Sequence, residues 1–89
     1  NIDAILALLS DDCVFEPTQN DTQIKGIEAI QTHLEEMFKS NEQARIEIEG
    51  IFGMGLHVIM RWRMNNRRGV DIFKFQGELI CEKRSYAKI

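Results

Sequence analysis

The chain has 89 residues, of which 44% are hydrophobic and 28% charged, and its formal net charge is −3. This length fits one domain with a small core, so we treat residues 1–89 as a single domain. The acidic balance argues against a general nucleic-acid binder, and no apolar run approaches the roughly 20 residues that cross a membrane.

The N-terminal half predicts two helices and one short strand. Asp3 is a good N-cap and predicts a short helix over residues 4–9, which is apolar nearly all round. Residues 13–16 are typical of a strand that Pro17 stops, and the polar residues 18–25 predict a loop. A second helix follows Gly26 and closes at residues 40–42. Its apolar residues recur at helical spacing: Ile27, Ile30, Leu34, Met37 and Phe38.

The C-terminal half predicts four strands, because apolar and polar residues alternate along it. The strands cover residues 45–49, 56–64, 68–75 and 79–88, with turns at 53–55, 65–67 and 76–78. A helix, a short strand, a helix and a four-stranded antiparallel meander indicate an α+β fold. We expect a curved antiparallel sheet with the helices packed on one face.

Asp71 is the most informative residue in these strands. It shares a strand face with Gly69, Phe73 and Phe75. A carboxyl group among aromatic side chains is costly to ionise and costly to leave unpaired. Asp71 therefore either has a specific partner or keeps its proton and acts as a donor, and we take a pocket as the working hypothesis. The alternative is an internal ion pair or hydrogen bond to an Arg or His across the sheet. Candidate partners on the neighbouring strand are His57, Arg61 and Arg63, whose alternative is to face solvent or a second subunit.

The two cysteines, Cys13 and Cys81, lie far apart in sequence and lack metal-site spacing. With no signal peptide in the chain, this pattern favours free thiols in a reducing compartment, which is a cytoplasmic location. The two histidines add no ligand pattern, so we predict neither a metal nor a cofactor.

Four stretches resemble the nuclear transport factor 2-like superfamily, in its branch of SnoaL-like polyketide cyclases and ketosteroid isomerases. They are residues 3–15, the pair Glu16-Pro17, residues 25–30 and residues 69–80. Their order and spacing are specific for the superfamily. They do not select a function within it, because this fold carries enzymes, binding proteins and transport adaptors.

The resemblance implies a cone-shaped sheet around a pocket, closed by helices on its concave face, and a homodimer formed through the outer sheet face. It also implies a helix before Asn1, which this sequence lacks. In ketosteroid isomerases that helix supplies a tyrosine donor, and no residue here corresponds to it. By motif position, Glu16 resembles the catalytic base and Asp71 the protonated donor. The alternative for Glu16 is an exposed carboxylate at the end of a strand.

The resemblance also implies that aromatic and polar side chains line the pocket, and the candidates are Phe15, His33, Trp62, Phe73 and Tyr86. The alternatives are a core position for Trp62 and Phe73, a partly buried helix position for His33, and an interface or rim position for Tyr86. We predict a protein that binds a small apolar or aromatic molecule. Isomerase, cyclase or dehydratase activity by carboxylate acid–base catalysis is left open. The alternative function is a non-catalytic, dimeric protein-interaction module.

Overall fold

The computed structural model describes residues 1–18, 22–40 and 45–88. Within these ranges the chain is an α+β structure, as predicted. Its elements are α1 (Ile2–Leu6), β1 (Leu9–Glu16), β2 (Ile24–Lys25), α2 (Ile27–Ser40), β3 (Ile46–Met54), β4 (His57–Met64), β5 (Arg67–Gln76) and β6 (Leu79–Ala87).

The six strands form one sheet in the order β2-β1-β6-β5-β4-β3. Strands β3 to β6 make the predicted antiparallel meander. Strand β1 pairs in parallel with β6, a pairing that the sequence analysis did not specify. No hairpin joins the two strands, so local turn geometry does not set their relative direction. Because β2 and β3 remain as edges, the curved sheet does not close into a barrel.

The N-terminal elements begin earlier than predicted. Asn1, rather than Asp3, caps α1, and its Oδ1 accepts a hydrogen bond of 3.1 Å from the Ala4 backbone N–H. Strand β1 already starts at Leu9, because Leu9 pairs with Ile80 of β6. The predicted loop contains β2, which pairs with β1. Residues 19–21 of that loop and residues 41 and 42 at the predicted helix end lie outside the described residues.

The hydrophobic core lies between the helices and strand β1. Its buried members are Leu9, Cys13 and Phe15 from β1 with Ile30 and Leu34 from α2. The apolar stripe of α2 therefore packs on β1, and α1 packs on α2. We call the sheet face that carries Phe15 and this core the inner face, and the opposite one the outer face.

The helices cover only the β1 end of the inner face. At the other end, Ile46, Ile48 and Ile51 of β3 pair with inner-face residues of β4 and are still 58–61% exposed. The whole chain exposes 6564 Å², whereas a compact monomer of its mass exposes about 5,400 Å². The inner face therefore offers an uncovered apolar surface beside the core.

Among the helices of the described ranges, none combines the length and the apolar character that a membrane-crossing segment needs.

Candidate functional site

Asp71 lies on the inner face of β5 and is 7% exposed. Its Oδ1 accepts a hydrogen bond from the Trp62 indole Nε1–H at 3.0 Å. Its Oδ2 lies 3.8 Å from the Lys83 Nζ. The carboxylate thus has specific partners, which satisfies the electrostatic requirement of a buried acid.

These partners are not the candidates expected from the sequence. In the β4–β5 register, Met60 pairs with Asp71 and Trp62 pairs with Gly69, so the even-numbered residues of β4 share the inner face. His57, Arg61 and Arg63 therefore lie on the outer face and do not reach Asp71. Strand alternation alone had left open which face of β4 meets the acid.

Gly69 allows Trp62 to reach Asp71. The two residues are directly opposite each other on β4 and β5. A Cβ atom at Gly69 would overlap with the Trp62 indole and with the Tyr86 carbonyl oxygen. Without that atom the indole lies close against the backbone of β5, and its N–H points along the strand to Asp71.

Lys83 is a site residue that sequence reasoning missed. It lies on β6, opposite Phe73 of β5 and Phe15 of β1. Its Nζ is 4.9 Å from the centroid of the Phe15 ring, within cation–π range. The alternation of residues 79–88 placed Lys83 on one face of β6, but only the pairing with β5 brings its ammonium group to Asp71.

His33 of α2 lies near this group. Burial, and secondly the positive charge of Lys83, lower the pKa of His33 from its ordinary 6.5, while Glu36 acts in the opposite direction. His33 is therefore neutral at pH 7. Five predicted site residues thus occupy the inner side of the sheet around Lys83: Phe15, His33, Trp62, Asp71 and Phe73.

Glu16 and Tyr86 lie on the other side of the sheet. Phe15 pairs with Lys83, so the next residue, Glu16, pairs with Arg84 on the outer face. Glu16 and Asp71, which the resemblance assigns as base and donor, therefore lie on opposite faces of the sheet, because Phe15 occupies the inner position at this end of β1. Tyr86 pairs with Val70, also on the outer face, and is 48% exposed.

The surface of the described residues has an open depression lined by Arg45, Glu47, Arg63 and Asn65. Because Glu47 and Arg63 pair on the outer face, this depression is separate from Asp71. The Asp71 group is instead approached along the uncovered inner face. Within the described ranges, no three His, Cys, Asp or Glu side chains come together as a metal site.

The chain matches the family model described as the SnoaL-like domain over residues 1–83. No curated protein matches it. Among solved structures, it is similar to a nuclear transport factor 2-like protein of unknown function from Mesorhizobium loti. The identity is 26% and the TM-score 0.83, over 99% of this chain and 78% of the other.

Two further solved structures share the fold at lower identity. A SnoaL-like protein of unknown function from Burkholderia thailandensis is 14% identical with a TM-score of 0.90, over 100% of this chain and 82% of the other. A protein from Jannaschia, provisionally described as a SnoaL-like polyketide cyclase, is 13% identical with a TM-score of 0.86. The match covers 98% of this chain and 72% of the other. The nuclear transport factor 2-like α+β fold predicted from the sequence is therefore confirmed.

Proposed function

The chain belongs to the SnoaL-like domain family, and we propose that it binds a small apolar or aromatic molecule on the inner face of its sheet, beside Asp71. The observation that carries this proposal is the position of the Asp71–Lys83 pair next to an uncovered apolar surface. Small-molecule sites typically combine an apolar wall with a few fixed polar groups. Trp62, Met60, Ile48 and Ile51 supply such a wall here.

Proton-transfer chemistry of the isomerase, cyclase or dehydratase type is the finer form of this proposal. Asp71 and His33, which lie on the inner side near Lys83, are the groups that it would use as acid and base, since Glu16 lies on the outer face. The name of the Jannaschia protein is consistent with small-molecule chemistry. At 13% identity that likeness concerns the fold and does not supply a substrate.

Asp71→Asn tests the binding proposal. The asparagine Oδ1 can still accept the Trp62 hydrogen bond, so we expect the variant to fold, but it removes the negative charge opposite Lys83. A panel of steroids, aromatic polyketides and small lipids is screened for ligands that raise the melting temperature of the native chain. The affinity of each hit for Asp71→Asn is then measured by calorimetry.

We expect the affinity to change severalfold in Asp71→Asn and to stay unchanged in Glu78→Gln, which alters an exposed carboxylate in the β5–β6 turn. A panel without a stabilising ligand, or equal affinities in the native chain and Asp71→Asn, would contradict the proposal.

A second candidate function, a dimeric interaction module, is favoured by the outer face. Its centre is apolar: Ile59, Val70 and Ile72 are half-buried, while Phe52 and Tyr86 are 52% and 48% exposed. The chain as a whole exposes 6564 Å², about 1,200 Å² more than a compact monomer of its mass. This excess includes the uncovered inner face, and it is larger than the roughly 800 Å² that one partner buries in a stable interface. We propose that a second copy of the chain packs on this face.

The cytoplasmic location is likewise kept as a proposal. Both cysteines, Cys13 and Cys81, are free thiols in the structure, which is consistent with a reducing compartment.

A further inference from the structure

We propose that the outer face of the sheet binds a phosphate monoester whose carbon body carries hydroxyl groups, and that arginines at one corner of this face hold the phosphate. They are Arg45, Arg61, Arg63 and Arg68, and we call them the arginine corner. This site lies on the opposite side of the sheet from Asp71, so the inference does not depend on the proposed inner-face function.

The arginine corner concentrates positive charge in an acidic chain. Four of the six arginines of the chain lie here, where β3 begins, β4 ends and β5 begins. Among the described residues, the carboxylates beside them are Glu47, which is opposite Arg63, and Glu49, whose Oε2 is 3.8 Å from Arg68 Nη2. Four positive and two negative charges leave +2 at this corner, whereas the whole chain carries −3. This local excess of positive charge attracts anions.

Arg63 and Arg68 occupy positions that the sheet alone disfavours. They are directly opposite each other on β4 and β5, and both are exposed on the outer face. Two like charges directly opposite each other on neighbouring strands destabilise the pair. Of the four arginines, only Arg68 forms an ion pair with a described residue. An anion bound between Arg63 and Arg68 would relieve their repulsion, and proteins keep such locally unfavourable arrangements at functional sites.

The contacts of these two arginines leave donors for that anion. Arg63 Nε donates a hydrogen bond of 3.3 Å to the backbone carbonyl of Asn65 in the β4–β5 turn. This bond holds the guanidinium group and leaves its two Nη groups without a partner among the described residues. Arg68 reaches from β5 over β4 to Glu49, so it lies across the same part of the outer face. Guanidinium groups held in this way bind phosphate oxygens through paired hydrogen bonds.

A depression beside these arginines has room for the rest of a small ligand. It is open to solvent, has a volume of about 330 Å³ and is lined by Arg45, Glu47, Arg63 and Asn65. This volume is at the lower end of the range for small-molecule sites. The Glu47 carboxylate and the Asn65 amide accept hydrogen bonds from hydroxyl groups, and Glu47 would repel a second anionic group. A hydroxylated body therefore fits this lining better than an apolar or an acidic one.

The arginine corner lies beside the apolar centre of the outer face, on which we propose that a second copy packs. Arg61 and Arg63 follow Ile59 on β4 by two and four residues, so they are about 7 and 13 Å from it along the strand. Charged side chains at the rim of an apolar centre are the usual arrangement of an interface. A small ligand can therefore reach the corner while the centre is covered.

Four probes test the inference by calorimetry: glucose 6-phosphate, glucose, gluconate and inorganic phosphate. The measurements are made at low salt and about pH 8, where a phosphate monoester carries two negative charges. We expect glucose 6-phosphate to bind about tenfold tighter than glucose, because the arginines donate charged hydrogen bonds to the phosphate. It should also bind tighter than gluconate, which carries a single charge, and tighter than inorganic phosphate, which lacks the hydroxylated body.

Two variants locate the binding site. Arg63→Gln should reduce the affinity for glucose 6-phosphate about tenfold, since it removes a charged donor from the phosphate. Lys74→Gln removes the same charge from an exposed lysine at the other end of the outer face and should leave the affinity unchanged. An equal loss of affinity in both variants would show that net charge, and not the arginine corner, attracts the ligand.

The probe series can overturn the inference without any variant. This happens if none of the four probes binds, or if glucose, gluconate or inorganic phosphate binds as tightly as glucose 6-phosphate. Because the series is measured on the native chain, it decides the question even if Arg63→Gln does not fold. Asp71→Asn should leave the affinity for glucose 6-phosphate unchanged, so the result at this corner is distinct from that at the inner face.

Discussion

Trp62 and Gly69 together determine how Asp71 is held at the inner face. The indole requires a residue without a side chain opposite it, and the glycine provides this. The indole N–H then satisfies one oxygen of a carboxylate that would otherwise be buried without a hydrogen bond. A change at Gly69 should therefore act through Trp62.

Gly69→Ala should destabilise the chain by roughly 1–3 kcal/mol, the usual cost of inserting a group into a packed site. The new Cβ meets the indole and the Tyr86 carbonyl, so the tryptophan fluorescence of the folded protein should also shift. Urea denaturation measures the free energy of unfolding. Gly53→Ala is the matched control, because a Cβ there meets no atom within 4 Å. Equal stability in the two variants would show that Trp62 does not constrain position 69.

His33 should make the stability of the chain depend on pH. Its pKa in the folded state is below the ordinary 6.5, because of burial and then of Lys83. The unfolded chain therefore binds this proton at higher pH than the folded chain does. The contribution of neutral His33 to the free energy of unfolding is therefore complete above pH 6.5, the ordinary pKa of the unfolded chain. It is lost as the pH falls from there through the pKa of His33 in the folded state.

In His33→Gln the stability should fall less on acidification than in the native chain. In His57→Gln, which alters an exposed histidine, it should fall as much as in the native chain. The measurement is the free energy of unfolding in urea at a series of pH values from neutral to mildly acidic. If the free energy of unfolding falls equally on acidification in His33→Gln and in the native chain, His33 is not the cause of the fall.

At the scale of elements, α2 covers the β1 end of the inner face and leaves β3 uncovered. This division follows from where the apolar stripe of α2 packs, because Ile30 and Leu34 meet β1. Neither of the helices in the described ranges covers the isoleucines of β3. Ile30 of α2 is buried, whereas Ile48 of β3 is exposed. The same residue type thus occurs in opposite environments, which makes Ile30 and Ile48 a matched pair for mutation.

Ile30→Ala should cost about 2–5 kcal/mol of stability, because Ile30 is 0% exposed and its loss leaves a cavity. Ile48→Ala, at 58% exposure, should cost less than about 1 kcal/mol, close to the difference in strand preference alone. Chemical denaturation of the two variants provides the comparison. A loss at Ile48 as large as that at Ile30 would mean that the β3 end of the inner face is covered in solution.

For the whole molecule, the exposed area and the apolar outer face support association of two copies. Light scattering after size-exclusion chromatography should give the mass of a dimer for the native chain. Phe52→Glu places a charge on the proposed interface and should shift the mass to that of a monomer. Leu8→Glu, in the turn between α1 and β1, is the control and should remain dimeric. A monomeric native chain at all accessible concentrations would contradict the dimer proposal.

The local elements and the α+β class follow from the residue pattern along the chain. Helical spacing predicted α2, strand alternation predicted the meander, and the same alternation placed Asp71 on one face with Gly69 and Phe73. These features depend on residues close to one another in the chain, so their patterns can be read without knowledge of the rest of the fold.

The residues that meet in the folded chain depend instead on how the elements pack. The parallel pairing of β1 with β6, the inner position of Phe15 instead of Glu16, and the approach of Lys83 to Asp71 all depend on register between strands distant in sequence. A shift of one residue in that register moves every side chain of a strand to the opposite face. Local periodicity shows that two faces exist, and the packing of α2 on β1 determines which of them becomes the inner one.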